Sequence, residues 1–157
     1  MPPVSMHSTA PPEAVFAVLS DGWRYADWVV GAKTIRNVDA DWPTPGAKFH
    51  HKVGFGPIEI KDSSTLEAID PPRSMTLNVR ARPAGVARVH ITLEPDGEGG
   101  TNIELDEHPI AGIAKLTDNP IQRTLLRGRN LEALRRLKNL AEQDLENLDR
   151  SAEAEAD

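Results

Sequence analysis

Along the middle of this chain apolar and polar residues alternate one for one, the spacing at which strand side chains return to the same face of a sheet. Phe49, His51 and Val53 form one row against Lys48, His50 and Lys52. After the turn-forming Gly54-Phe55-Gly56-Pro57, residues Ile58, Ile60, Asp62, Ser64, Leu66 and Ala68 alternate with Glu59, Lys61, Ser63, Thr65 and Glu67. Asp70-Pro71-Pro72-Arg73 interrupts the pattern. Met75, Leu77, Val79 and Ala81 then alternate with Thr76, Asn78, Arg80 and Arg82 up to a second break at Pro83-Ala84-Gly85. Ala87, Val89, Ile91 and Leu93 continue the series, which resumes beyond the Pro95 to Gly100 turn as Ile103 and Leu105. Short turns force antiparallel pairing, and one apolar face per strand predicts a sheet covered on a single side.

The two ends of the chain read as helix. Thr9-Ala10-Pro11-Pro12-Glu13 places prolines in a first turn that has no intrahelical donors to lose, so a helix is expected from there through Leu19. Ser20 or Asp21 caps a second short helix through Trp28, and Gly31 releases the chain into a strand. Near the other end Asn119 is a capping residue and Pro120 a first helical residue. Ile121, Leu125, Leu131, Leu134, Leu137, Ala141, Leu145 and Leu148 supply an apolar stripe for a helix longer than roughly 25 residues that covers the sheet. Ser151-Ala-Glu-Ala-Glu-Ala-Asp157 lacks apolar anchors. The expectation is one domain over residues 1–148 and a disordered acidic tail over 149–157.

Composition narrows the chemistry. The 157 residues are 39% hydrophobic and 27% charged, as in one globular domain, and contain no Cys, which excludes thiol catalysis, disulfides and Cys-ligated metals. A formal charge of −6 weighs against nucleic acid or an anionic membrane surface as the main partner. Neither a basic leader with an apolar core nor an apolar run of ~20 residues is visible, so a cytoplasmic protein without stable membrane insertion is expected. Aromatic residues number three Trp, one Tyr and three Phe. The inward rows are therefore filled mainly by Val, Ile, Leu, Ala and Ser, which predicts a hollow interior.

Several phrases carry a resemblance: Ala10 to Asp21, Trp28-Val-Val-Gly31, Trp42-Pro43 with Gly46 three residues on, Ile69-Asp70-Pro71-Pro72-Arg73, and Glu107-His108-Pro109. In order and spacing they look like the START-like helix-grip superfamily, in its bacterial polyketide cyclase/dehydratase and lipid-transport branch, often labelled SRPBCC. The resemblance implies an α+β fold, with a curved antiparallel sheet of about seven strands wrapped around a long C-terminal helix and two short helices after the first strand. It also implies a cavity for a small hydrophobic ligand such as a lipid or polyketide.

Three ionisable residues interrupt the inward rows: His51, Asp62 and Glu107. Burying such a group without a partner is costly, so each should be paired, near water or facing a polar ligand. If Val53 faces Ile58 across the turn, Asp62 is the diagonal neighbour of His51, about 7–8 Å away at Cβ. The two could then act as acid and base in a cyclase or dehydratase, or form a structural pair. For a carrier or sensor, Trp28, Phe49, Leu77, Val79, Ile91, Leu105, Ile121 and Leu125 are the expected apolar ligand contacts, with His51, Asp62 and Glu107 orienting a polar end. A third reading is an interaction module similar to the chaperone-ATPase activators, working through the basic Arg123 to Lys138 face. Trp23 is grouped with Trp28 as core or cavity wall, and the stretch from Pro109 to Thr117 has the length of a lid. His50 and His51 point to opposite faces and cannot chelate one ion, and the glycines at 97, 99 and 100 precede a strand rather than a helix. No metal or cofactor is expected; a homodimer is compatible with the sequence.

Overall fold

The computed structural model describes residues 2–55, 57–81, 85–112 and 119–156. The chain opens with β1 (Val4–Ser8) and α1 (Pro12–Leu19), then a 3-10 turn (Gly22–Arg24) runs into α2 (Tyr25–Trp28). Six further strands follow: β2 (Ala32–Val38), β3 (Lys48–Phe55), β4 (Ile58–Asp70), β5 (Ser74–Ala81), β6 (Gly85–Pro95) and β7 (Thr101–Ala111). A single long helix, α3 (Pro120–Ala156), ends the chain. The strands form one curved antiparallel sheet in the order β1-β7-β6-β5-β4-β3-β2.

Local chemistry accounts for the helix starts. Pro11 and Pro12 open α1. The Asp21 carboxylate accepts from the Trp23 amide at 3.1 Å, and Asn119 Oδ1 accepts from the Gln122 amide at 2.8 Å. Each cap satisfies a donor that the first helical turn leaves over. The α3 helix then packs on β1 and α1, where Leu134, Leu137 and Ala141 join Val15, Leu19, Leu93 and Ile103 in one core. Two polar ties secure it: Thr9 donates through its amide and its hydroxyl to Glu142 Oε1, at 3.1 and 3.0 Å, and Arg24 binds Asp144.

The structure corrects several expectations. Across the first hairpin Phe55 pairs with Ile58 and Val53 with Ile60, so His51 lies directly opposite Asp62 rather than diagonal to it. The strand absorbs Gly54 and Phe55, which the pattern assigns to the turn. At Gly54 a side chain is forbidden, because a Cβ would fall 2.0 Å from the Ile58 carbonyl oxygen. Further along β4 a register shift between Leu66 and Ala68 reverses the alternation, turning Ala68 out and Ile69 toward the core. Ile58 is exposed, and Trp23, expected with Trp28 in the core or the cavity wall, is 58% exposed and does not line the pocket described below.

At the C-terminal side, β7 continues through Pro109 to Ala111, so only part of the expected loop remains; residues 113–117 lie outside those described. The stretch expected to be a disordered tail is helical as far as Ala156. Alanine and glutamate there are strong helix formers, and Arg150 reaches back one turn to Glu146 at 2.6 Å. Among the described residues no helix is long and apolar enough to cross a membrane.

Candidate functional site

Where α2, the far ends of β5 to β7 and the first turns of α3 meet, packing is incomplete and leaves a pocket of about 210 Å³. Its wall is largely aliphatic, with Val79, Ala87, Val89, Leu105 and Leu126 lining it together with Trp28. On β7 alternate residues, Leu105, Glu107 and Pro109, line it because the period of two carries the inward row to the sheet end, whereas on β6 a register shift between Val86 and Ala87 brings both of these residues to the wall. Tyr25, Glu107, Gln122, Arg129 and Asn130 give the same wall a polar side.

That polar side is built around a buried carboxylate. Glu107 is 8% exposed, yet both its oxygens are engaged. Arg129 Nη2 donates to Oε1 at 2.6 Å and to Oε2 as well, while Asn130 Nδ2 donates to Oε2 at 2.8 Å. Neither carboxylate oxygen is left without a hydrogen-bond donor. Tyr25 is buried beside it. Burial, reinforced by the Glu107 charge, pushes the Tyr25 hydroxyl well above its ordinary range, against the pull of Arg129 and a hydrogen bond with Ser64. Tyr25 is therefore a neutral hydrogen-bonding group at physiological pH.

Deeper in the sheet, His51 and Asp62 are both buried, but neither lines the pocket. His51 Nε2 bonds to Ser64 Oγ at 3.0 Å, and Nδ1 has no hydrogen-bond partner among the described residues. Asp62 Oδ1 accepts instead from the Ser63 amide at 2.9 Å. Placing two residues opposite each other in register thus does not join their side chains. Burial pulls the His51 pKa down, a shift the Asp62 charge partly opposes. The ring also packs among aromatics, with its centroid 5.7 Å from Phe49 and 6.3 Å from Tyr25. Among the described residues no group of three His, Asp or Glu side chains converges as a metal site would require.

Of the apolar contacts read from the sequence, Trp28, Val79 and Leu105 line the pocket, and so does Glu107. Phe49, Leu77 and Ile91 are fully buried in the core beside it. Ile121 and Leu125 do not face inward: they are 75% and 70% exposed. In its first turns this helix lines the pocket with Gln122, Leu126, Arg129, Asn130 and Ala133, whereas the predicted stripe is buried only further along, at Leu134, Leu137 and Ala141. Tyr25, Leu126, Arg129 and Asn130 are among the lining residues that sequence reasoning missed. Asn130, one helical turn before Leu134, carried the available signal, but a polar residue reads as solvated unless its buried partner, Glu107, is known.

A curled antiparallel sheet gripping one long helix, with a pocket between them, defines a helix-grip protein. The pattern of the family described as polyketide cyclase / dehydrase and lipid transport matches residues 4–142, and the chain belongs to that family. No curated protein matches. Among solved structures, a Staphylococcus aureus protein of unknown function superposes with a TM-score of 0.67 at 10% identity, covering 92% of this chain and 96% of that one. CalU16 from Micromonospora echinospora superposes with a TM-score of 0.60 at 16% identity over 95% of this chain and 80% of that one. DynU16, from the dynemicin biosynthetic locus, gives 0.64 at 20% identity over 89% of this chain and 46% of that one. At such identities the likeness is one of fold.

Proposed function

We propose that this protein binds a small amphipathic molecule in the pocket between α2, α3 and the ends of β5 to β7. The supporting observation is the contrast within one wall: aliphatic side chains and Trp28 on one side, and the Glu107, Arg129 and Asn130 cluster on the other. An apolar pocket with a few convergent polar groups is the usual form of a small-molecule site. At about 210 Å³ the volume lies below the ~300–1,000 Å³ of pockets for drug-sized ligands, which favours a compact guest over a whole lipid. Family membership supports the same class of ligand.

A proton-transfer role for His51 and Asp62 receives no support from the geometry, because neither reaches the pocket and neither ring nitrogen of His51 bonds Asp62. The reading is therefore carriage or sensing. Titration with the neutral dye N-phenyl-1-naphthylamine tests it. Saturable one-to-one binding is expected, lost on Ala87→Phe, which places a ring in the pocket. No saturable binding by the wild type, or undiminished binding by a folded Ala87→Phe variant, would overturn the proposal.

A further inference from the structure

A second concavity, sharing no lining residue with the pocket, opens where the 3-10 turn meets the end of β2 and the segment that follows it. It is an open groove of about 470 Å³, walled by Trp23, Val38, Trp42 and Pro43 with Asp21 and Asp39 among them. Trp23 is 58% exposed, whereas the other two tryptophans are built into the fold. Trp28 is buried, and Trp42 donates from Nε1 to the Ser20 carbonyl at 2.8 Å and meets Phe49 edge to face, ring centroids 5.1 Å apart. The floor is close-packed too: a Cβ on Gly22 would lie 3.2 Å from the Val38 methyls and 3.3 Å from Trp42 Nε1. A fixed floor thus carries one large indole left in water, and tryptophan is among the residues enriched where a few side chains dominate a protein–protein interface.

The charge around that indole selects the partner. Asp21 Oδ1 accepts from the Trp23 amide at 3.1 Å, which fixes the backbone beneath the ring. Asp39 accepts from the His50 ring at 3.1 Å and the Lys48 amide at 3.0 Å, contacts that hold its pKa below the ordinary carboxylate value, so it stays charged. Asp41 lies between the lining residues Ala40 and Trp42, is exposed, and makes no ion pair among the described residues. No lysine or arginine lines the groove among the described residues. Arg24, on the same 3-10 turn, is committed to Asp144 and Asp27, and the Lys48 ammonium acts on Asp39. An exposed indole beside carboxylates fits a guanidinium, which is flat and weakly hydrated, stacks on the ring face and donates to the acids. An anionic partner would be repelled.

We propose that this groove is an interaction surface for a basic segment of a partner protein, with an arginine side chain stacked on Trp23 and paired with the neighbouring aspartates. The test titrates the protein with the peptide acetyl-Leu-Arg-Pro-Arg-Leu-amide and with its counterpart carrying citrulline, the neutral isostere of arginine, at both arginine positions, following ¹H–¹⁵N signals. The Trp23 indole signal, identified by its loss in Trp23→Leu, should shift saturably with the arginine peptide. That peptide should bind at least about threefold more tightly than the citrulline one, the return on one exposed cation–π contact. Trp23→Leu keeps an apolar side chain without a ring face and, read from backbone amides of the groove, should erase the preference. Asp21→Asn, which retains the cap, should weaken the arginine peptide by about twofold, whereas Glu104→Gln, which removes the same charge from an exposed position on β7, should not. Equal affinities of the two peptides for the wild type, a preference that survives Trp23→Leu, or a Trp23 signal moved by neither peptide would overturn the proposal. Self-association of the protein that Trp23→Leu abolishes would overturn it in favour of a second copy as the occupant. The pocket reading is untouched by any of these results, because dye binding reports on other residues.

Discussion

Arg129 on α3 donates through a single nitrogen, Nη2, to both carboxylate oxygens of Glu107 on β7. This pair joins the first turns of the helix to the last strand, in the region where the pocket leaves few apolar contacts to do so. Glu107 is buried, whereas the Arg129 side chain is 40% exposed, so the carboxylate depends on the pair more than the guanidinium does.

Removing either partner should therefore destabilise asymmetrically. Arg129→Gln strands a buried carboxylate and is expected to cost about 1–3 kcal/mol, and Glu107→Gln less, since Arg129 can turn to solvent. In the double variant the losses should not add, leaving a coupling of at least about 0.5 kcal/mol in urea denaturation. Strict additivity would mean that the pair holds nothing together.

His51 gives the fold a pH dependence of definite sign. Burial holds its folded pKa below the ordinary 6.5, so between the two values the unfolded chain binds a proton that the folded chain refuses. The stability associated with neutral His51 is complete above about pH 6.5 and falls as the pH drops toward the lowered folded value. Urea midpoints should decline from pH 7.5 to 5.5, and His51→Gln should flatten that decline. An unchanged slope in the variant would remove His51 as its source.

A second window lies lower and belongs to other groups. Asp96 is held at about 2 by His7 and by the amides of Glu98 and Gly100, and Glu132 at about 2 by Arg135 and Arg136. Both contribute stability that is present above their ordinary values of 3.8 and 4.5 and lost as the pH falls toward 2. Asp96→Asn should weaken the wild type's additional loss below pH 4 without altering the slope between pH 5.5 and 7.5.

Helix phase near the pocket can be read by substitution. Leu126 lines the pocket, whereas its neighbour Leu125 is exposed. Leu126→Gln should weaken dye binding roughly tenfold by placing an amide in the apolar wall, while Leu125→Gln should leave it within about twofold. Equal effects would place the helix in the other phase.

Further along the same helix the core takes over. Leu137 is completely buried, so Leu137→Ala should cost about 2–5 kcal/mol through the cavity it leaves. Deleting residues 149–157, whose described positions are all exposed, should change stability by less than about 0.5 kcal/mol. A large loss on truncation would show that the final turns are held by contacts.

The periodic content of the sequence determined the fold. Alternation from Lys48 to Leu105, proline and glycine breaks between the rows, and the Asn119-Pro120 start were local statements, and strands, turns and caps are decided locally. They sufficed for the antiparallel strands β3 to β7 and one long covering helix, while the count of about seven strands followed from the family resemblance. Only the tertiary structure decided the site. The pairing of Val53 with Ile60 rather than Ile58 depends on a backbone approach that Gly54 permits, and the partner of His51 depends on which side chain lies within reach across the strands. On α3 the apolar stripe read from the sequence is buried at Leu134, Leu137 and Ala141 but not in the first turns. There Glu107 on a distant strand engages Arg129 and Asn130, and Ile121 and Leu125 stand in solvent. A buried polar contact between residues more than twenty positions apart leaves no periodic trace, because its stability comes from mutual satisfaction within the folded state.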